Sequence, residues 1–368
     1  MSNRHRRHQP SGSRLPFLLL ATAVVITPQR SEAQKQASRC ADGVATGVAT
    51  GVAAGVATRE PRHYVFLNRD RQRIADSAFL QTAALEGAQV KYTWRELEPE
   101  KDRYDLSAIQ NDLAYLGAHG KRLFIQLQDV SFDEQIVNTP SYLQRDPMYH
   151  GGIAPQLAPG RDSALRVGGW TARRWDPAVQ ARWRRLVDTL GRAFDGKIEG
   201  ITLPETALDV APDSGRWPAG FSPARYRDAV IENMAALKRA FPRSVAMQYG
   251  NFMPGEWLPG DDHGYLESVY AAAAPLDVAM GGPDLLPHQR GHMLHAYPLL
   301  HEHARRGVTG IAVQEGNYGR VDPCSGRRPS IAELVAFARS SLGVRYMFWS
   351  TEEPFYSRDV LPYLAGAP

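Results

Sequence analysis

Short apolar runs alternate with longer amphipathic ones along most of this chain. The apolar, β-branched or aromatic runs fall at 63–68 (HYVFLN), 88–94 (AQVKYTW, counted from its alanine), 122–128 (RLFIQLQ), 197–204 (KIEGITLP), 244–252 (SVAMQYGNF), 276–282 (LDVAMGG), 308–314 (VTGIAVQ) and 344–350 (VRYMFWS). These eight read as strands. Between the second and third, Leu106, Ile109, Leu113 and Leu116 recur every three or four residues, and Gly120 follows where a helix can stop. Helical spacing returns over 72–86, 177–194, 223–241, 261–274, 290–306 and 329–342. Strands separated by helices imply parallel pairing, because parallel neighbours need a crossover connection. Eight units predict an α/β chain closed into a single (β/α)8 TIM barrel rather than a doubly wound open sheet, and no phosphate-binding glycine turn follows the first strand.

The barrel pattern does not reach the N-terminus. Residues 1–33 join a basic start to the apolar stretch LPFLLLATAVVI and to Ser31-Glu32-Ala33, the plan of a cleaved signal peptide. That stretch is too short to cross a bilayer comfortably, so the expectation is a secreted or periplasmic protein without stable membrane association after cleavage; an uncleaved anchor is the alternative. The pair Arg6-Arg7 is not followed by the apolar continuation of a twin-arginine signal. Residues 34–60 contain four copies of Gly-Val-Ala-Thr/Ala, which bury little surface per ordered residue and read as a linker. The folded domain is expected over 61–368.

Charge narrows the partners. The net charge of +4 resides in the first 33 residues, where five arginines face Glu32 alone; without them 38 basic residues balance 38 acidic ones. A neutral chain has no electrostatic reason to bind nucleic acid. Cys40 and Cys324 are the only cysteines, too few for a disulfide framework or a cysteine-rich metal site, and either a Cys40–Cys324 bridge or isolated thiols fit. No nucleotide loop, flavin fingerprint or Ser-His-Asp signature occurs, and no cofactor is expected. His288, His292 and His295 could align imidazoles on one helix, but no HExxH pattern accompanies them, and no metal is assigned.

In a TIM barrel the chemistry sits at the carboxyl ends of the strands. The fourth run ends GITLPE and the seventh GIAVQE, which makes Glu205 and Glu315 the candidate catalytic pair. Two carboxylates across a barrel mouth suit glycoside cleavage: one protonates the leaving oxygen, and the other attacks or stabilises the oxocarbenium-like carbon. Solvated rim carboxylates are the plainer reading, and Glu352 and Glu353 after the eighth strand are rivals. Gln126 and Gln128 share one side of the third strand, Tyr249 and Asn251 one side of the fifth, and Asp284 ends the sixth. All five are candidate substrate-binding groups, with satisfied structural polarity as the alternative. Trp94, Trp170, Trp175, Trp217, Trp257 and Trp349 fall at strand ends or in the segments after them, where aromatic faces can stack on sugar rings; Trp94 and Trp349 join the substrate-binding set. The segment 130–176 is too long for an ordinary connection, and its aromatics favour a cleft wall.

With these residues the chain resembles the clan A (β/α)8 glycoside hydrolases, a superfamily of retaining glycosidases. The resemblance covers roughly 61–365. It rests on Glu205 and Glu315 at the fourth and seventh strand ends, on the passage KYTWRELEPEKDRYDLSAIQNDLAYLGAHGKRLFIQ (91–126), and on Trp349 ending the eighth strand. It implies Glu205 as acid/base, Glu315 as nucleophile, a carbohydrate substrate outside the cytoplasm and a double-displacement reaction. Pro204 stands where the family has an asparagine that contacts the sugar 2-hydroxyl. That departure keeps open a carbohydrate-binding barrel without turnover, or a barrel hydrolase of another class.

Overall fold

A computed structural model describes residues 59–366 except Arg69, 160–164 and 211–216. The residues read as a signal, nearly all of those read as a linker, and Cys40 lie outside the described residues. Eight parallel strands close into a barrel: β1 (Arg62–Phe66), β2 (Leu85–Thr93), β3 (Arg122–Gln128), β7 (Gly200–Leu203), β8 (Val245–Tyr249), β9 (Ala279–Gly282), β10 (Thr309–Val313) and β11 (Tyr346–Ser350). Each pairs in parallel with its sequence neighbours in the barrel, and β1 closes on β11 from Arg62 opposite Tyr346 to Phe66 opposite Ser350.

Strand alternation sorts the side chains into two shells. Val65, Val90, Ile125, Ile201, Ile311, Met347 and Trp349 face outward into the layer shared with the helices. Tyr64, Phe124, Met247, Tyr249, Ala312 and Phe348 face inward. The inner packing is tight enough to require glycine: a Cβ at Gly200 would lie 2.5 Å from the Phe124 ring, and one at Gly281 would lie 2.8 Å from the Tyr249 ring. At the amino-terminal end Arg62 bonds to Glu86, Glu199 and the Tyr64 and Tyr346 hydroxyls. Burial opposes ionisation of Glu199, but hydrogen bonds from Arg62, Tyr346 and Arg122 outweigh it and hold the carboxyl at about 2. This end of the barrel is thus plugged by a charged network and the middle by aromatic rings, which leaves the carboxyl-terminal mouth for chemistry.

The two long outer helices start where their sequence dictates. Asp176 caps α5 (Pro177–Phe194) by accepting from the Ala178 and Val179 amides, and Pro177 occupies the first turn, where its missing N–H costs nothing. Val179, Trp183, Leu186, Val187, Leu190 and Phe194 then bury one stripe. Ser222 and Pro223 repeat the device at α6 (Pro223–Ala240).

Several boundaries differ from the sequence reading. Helical spacing over 72–86 gives way to a 3-10 turn, Arg71–Ala75, and a short helix, α1 (Ser77–Gln81), before β2 begins at Leu85. The strand expected to include Trp94 ends at Thr93, whose hydroxyl and backbone form a reciprocal capping box with Glu96 and start the helix α2 (Trp94–Leu97). The long segment 130–176 holds its own antiparallel sheet, β4 (Val130–Ser131), β6 (Leu165–Ala172) and β5 (Ile153–Pro159), with β6 central.

Candidate active site

Glu205 stands two residues beyond the end of β7, half-buried at the mouth. Its surroundings fix it from three directions. The Glu205 carbonyl accepts from Arg174 at 3.0 Å, and Arg174 is locked to Asp129 at 2.5 Å and to the Tyr226 hydroxyl at 3.0 Å. The Tyr226 hydroxyl donates to the Thr206 carbonyl at 3.0 Å. The Asn251 side chain accepts from the Ala207 and Phe252 amides through its oxygen, which orients its NH2 to donate to Glu205 Oε2 at 2.5 Å. The Pro204 carbonyl accepts from Gln248 at 2.6 Å.

Electrostatics set the protonation state. Burial pushes the Glu205 carboxyl up to about 7, the Asn251 hydrogen bond opposes the shift, and the negative charge of Asp284 adds to it, with Arg174 acting downward and Asp209 upward. Asp284, two residues beyond the end of β9, goes the other way. Burial opposes its ionisation, but His292, Asn317 and Gln314 outweigh it and hold the carboxyl below the ordinary range. Asp284 Oδ1 accepts from Gln314 Nε2 and Asn317 Nδ2, each at 2.8 Å, while Oδ2 faces His292 Nε2 at 3.6 Å. The mouth therefore presents one carboxyl that keeps its proton near neutrality beside one that does not. Such a split is how a site obtains an acid and an anion from two similar groups.

The other expected residues divide. Gln126 and Gln128 face the mouth, Gln126 only 6% exposed, and the amide oxygen of each has no hydrogen-bond partner among the described residues. Such buried oxygens are costly unless a ligand or water satisfies them. Tyr249 is sealed beneath the mouth, its hydroxyl bonded to Gln89. Trp94 and Trp349 are corrections to the sequence reading, both fully buried. The Trp94 indole donates to Glu98 Oε2 at 2.8 Å and meets Trp183 edge-on, and Trp349 points out of the barrel to donate to His63. Neither can floor a sugar subsite.

Glu315 is exposed on the turn after β10 and makes no side-chain hydrogen bond among the described residues. Ala312 faces inward, so alternation turns Gln314 inward to Asp284 and leaves Glu315 on the other side. The carboxylate brought to act on Glu205 is thus Asp284. Of the rivals, Glu352 accepts from the Gly316 amide at 2.8 Å and Glu353 from Arg73 and Ser357. Among the described residues no cluster of three or more His, Cys, Asp or Glu could hold a metal ion, and no helix is long and apolar enough to cross a membrane.

Asp129 and Arg174 were not singled out in the sequence, although Asp129 directly follows the Gln126–Gln128 alternation. Their side chains are 1% and 7% exposed. Replacing Arg174 with methionine is expected to cost about 3–5 kcal/mol, because it strands a buried carboxylate. Chemical denaturation would measure it, and a midpoint equal to wild type would contradict the expectation.

No protein-family model and no curated protein matches the chain. Solved structures do. The catalytic domain of β-amylase from Paenibacillus polymyxa is similar over 84% of this chain and 95% of its own, at 9% identity and a TM-score of 0.52. A β-galactosidase from the haloarchaeon Halorubrum lacusprofundi is similar over 79% of this chain, at 12% identity and a TM-score of 0.50; this chain spans about half its length, 52%. The likeness is one of fold: the chain has the (β/α)8 barrel that the sequence resemblance implied.

Proposed function

We propose that this chain is a glycoside hydrolase of the (β/α)8 type that retains anomeric configuration and acts on an oligo- or polysaccharide outside the cytoplasm. The observation that carries the reading is the pair of carboxyls at the barrel mouth, Glu205 held by Asn251 and Asp284 by Gln314 and Asn317, in surroundings that favour a proton on the first and charge on the second. Protonated Glu205 delivers its proton to the leaving glycosidic oxygen while Asp284 Oδ2 attacks the anomeric carbon, forming a glycosyl ester. Gln314 and Asn317 hold Oδ1 during attack, so the reacting oxygen needs no reorientation. Deprotonated Glu205 then takes a proton from water, whose oxygen attacks the same carbon and releases Asp284. Gln126 and Gln128, whose amide oxygens have no partner among the described residues, offer them to sugar hydroxyls, and Asn251 holds the Glu205 carboxyl in place. The resemblance to clan A assigns the nucleophile to Glu315; in our reading Asp284 takes that role.

A panel of chromogenic aryl glycosides, run beside polysaccharide pull-down, tests the class of function. Turnover supports a hydrolase, retention without turnover a binding barrel, and neither result supports another chemistry. The pH dependence follows from the two carboxyls. The acid must carry its proton, and its raised pKa keeps it protonated below about 7; kcat/KM is therefore expected to fall as pH rises through 7. On the acidic side activity should persist until Asp284 protonates, below the usual carboxylate range. An alkaline limb absent up to pH 9 would remove Glu205 from the acid's role.

A further inference from the structure

A groove of about 820 Å3 opens on the rim between the loops that follow β10 and β11. One of its wall residues, Tyr318, directly follows Asn317, which holds Asp284. The Tyr318 hydroxyl donates to the Ser350 carbonyl at the end of β11, and the ring stacks on Phe355 at 5.5 Å and 26°. Arg327, Arg328 and Arg358 line the same space. Two of the three are committed, Arg327 to both oxygens of Glu333 at 2.8 and 2.5 Å, and Arg358 to both oxygens of Asp359 at 2.9 Å. The Arg328 guanidinium lies 4.8 Å over the Phe355 ring and has no carboxylate partner among the described residues.

A cation held over a ring face in this way keeps N–H groups that a carboxylate or sulfate can accept from. The groove has the volume of a small-ligand site, and its neighbouring carboxylates pair with other arginines, Asp359 feeling the Arg328 charge without an ion pair to it. The geometry points to a subsite for an acidic saccharide unit, a uronate or a sulfate ester, whose charged group meets Arg328 while the rest of the chain runs toward Asp284. This deepens the proposed function and rests on it for the identity of the substrate as a saccharide.

Calorimetry with the whole protein tests the subsite against three probes: an oligogalacturonate, an uncharged oligosaccharide of equal length, and inorganic sulfate. The acidic oligomer should bind in preference to the uncharged one and weaken as salt is raised. Arg328→Ala should weaken it by about tenfold or more, the scale of one lost charge-assisted hydrogen bond. Arg328→Lys should restore only part of the loss, since it keeps the charge and not the planar fork. Equal affinity for the uncharged oligomer, indifference to Arg328→Ala, or sulfate binding as tightly as the oligomer would each overturn the subsite. Turnover of neutral glycosides surviving such a result would leave the hydrolase reading intact; retained acidic binding without any turnover would do the reverse.

Discussion

Glu205→Gln is expected to lower kcat on glycosides with unactivated leaving groups by about 10²- to 10⁴-fold, the usual worth of a positioned general acid. The glutamine keeps the size of the side chain and removes the proton that burial and Asp284 hold on Glu205 near neutrality. Aryl glycosides whose leaving groups are already acidic need little protonation, so their first step should be nearly spared. The same substitution should abolish the alkaline limb of the pH profile. Steady-state kinetics on a graded series of aryl glycosides would show this as a steep dependence on leaving-group pKa in the variant and a shallow one in wild type. Equal losses across the series would mean that Glu205 does something other than donate a proton.

Truncating Asp284 to alanine should be costlier, by about 10⁴-fold or more, because a covalent step cannot be replaced by binding energy. The cavity it leaves lies beside Gln314 and Asn317, which would remain as donors for a small anion. Azide is therefore expected to restore part of the activity on an activated substrate and to yield a glycosyl azide of inverted configuration. Glu315→Ala, by contrast, should change kcat by less than about twofold, as removal of an exposed carboxylate without a hydrogen-bond partner among the described residues does. If Glu315→Ala were the dead variant and Asp284→Ala the active one, the roles would have to be exchanged.

Much of this arrangement was legible in the chain because parallel strands are buried on both faces and appear as apolar runs. All eight barrel strands lie within the runs read from the sequence or overlap them closely. What the sequence left ambiguous was register at the mouth. A one-residue step exchanges the inside and outside of a strand, and both Glu315 and Trp349 sit one step from the inward set. Tyr346 and Phe348 point in, so Trp349 points out; Ala312 and Gln314 point in, so Glu315 does not. Glu205 and Asp284 escape this rule in the same way. Each follows a proline directly after a strand ends, Leu203-Pro204-Glu205 and Gly282-Pro283-Asp284, and proline cannot continue the ladder. Pro204, which looked like a departure from a family pattern, thus has a counterpart at the second carboxylate.

The remainder was not local enough to read. The Asp129–Arg174 pair joins residues 45 apart, and the sheet of β4, β5 and β6 depends on pairing across the long 130–176 segment. Trp94 was drawn into the helix by a capping box that the pattern Thr93-x-x-Glu96 does announce.

The proposed mechanism is a double displacement by the Glu205–Asp284 pair. It predicts a covalent glycosyl ester on one identified residue. Incubating the wild-type protein with a panel of activated 2-deoxy-2-fluoroglycosides, which slow breakdown of such an ester, and sequencing the labelled peptide by mass spectrometry would locate it. One sugar per chain, attached to Asp284, is the expected result; a label on Glu315, or turnover of the panel's parent glycosides with inversion and no label at all, would contradict the mechanism.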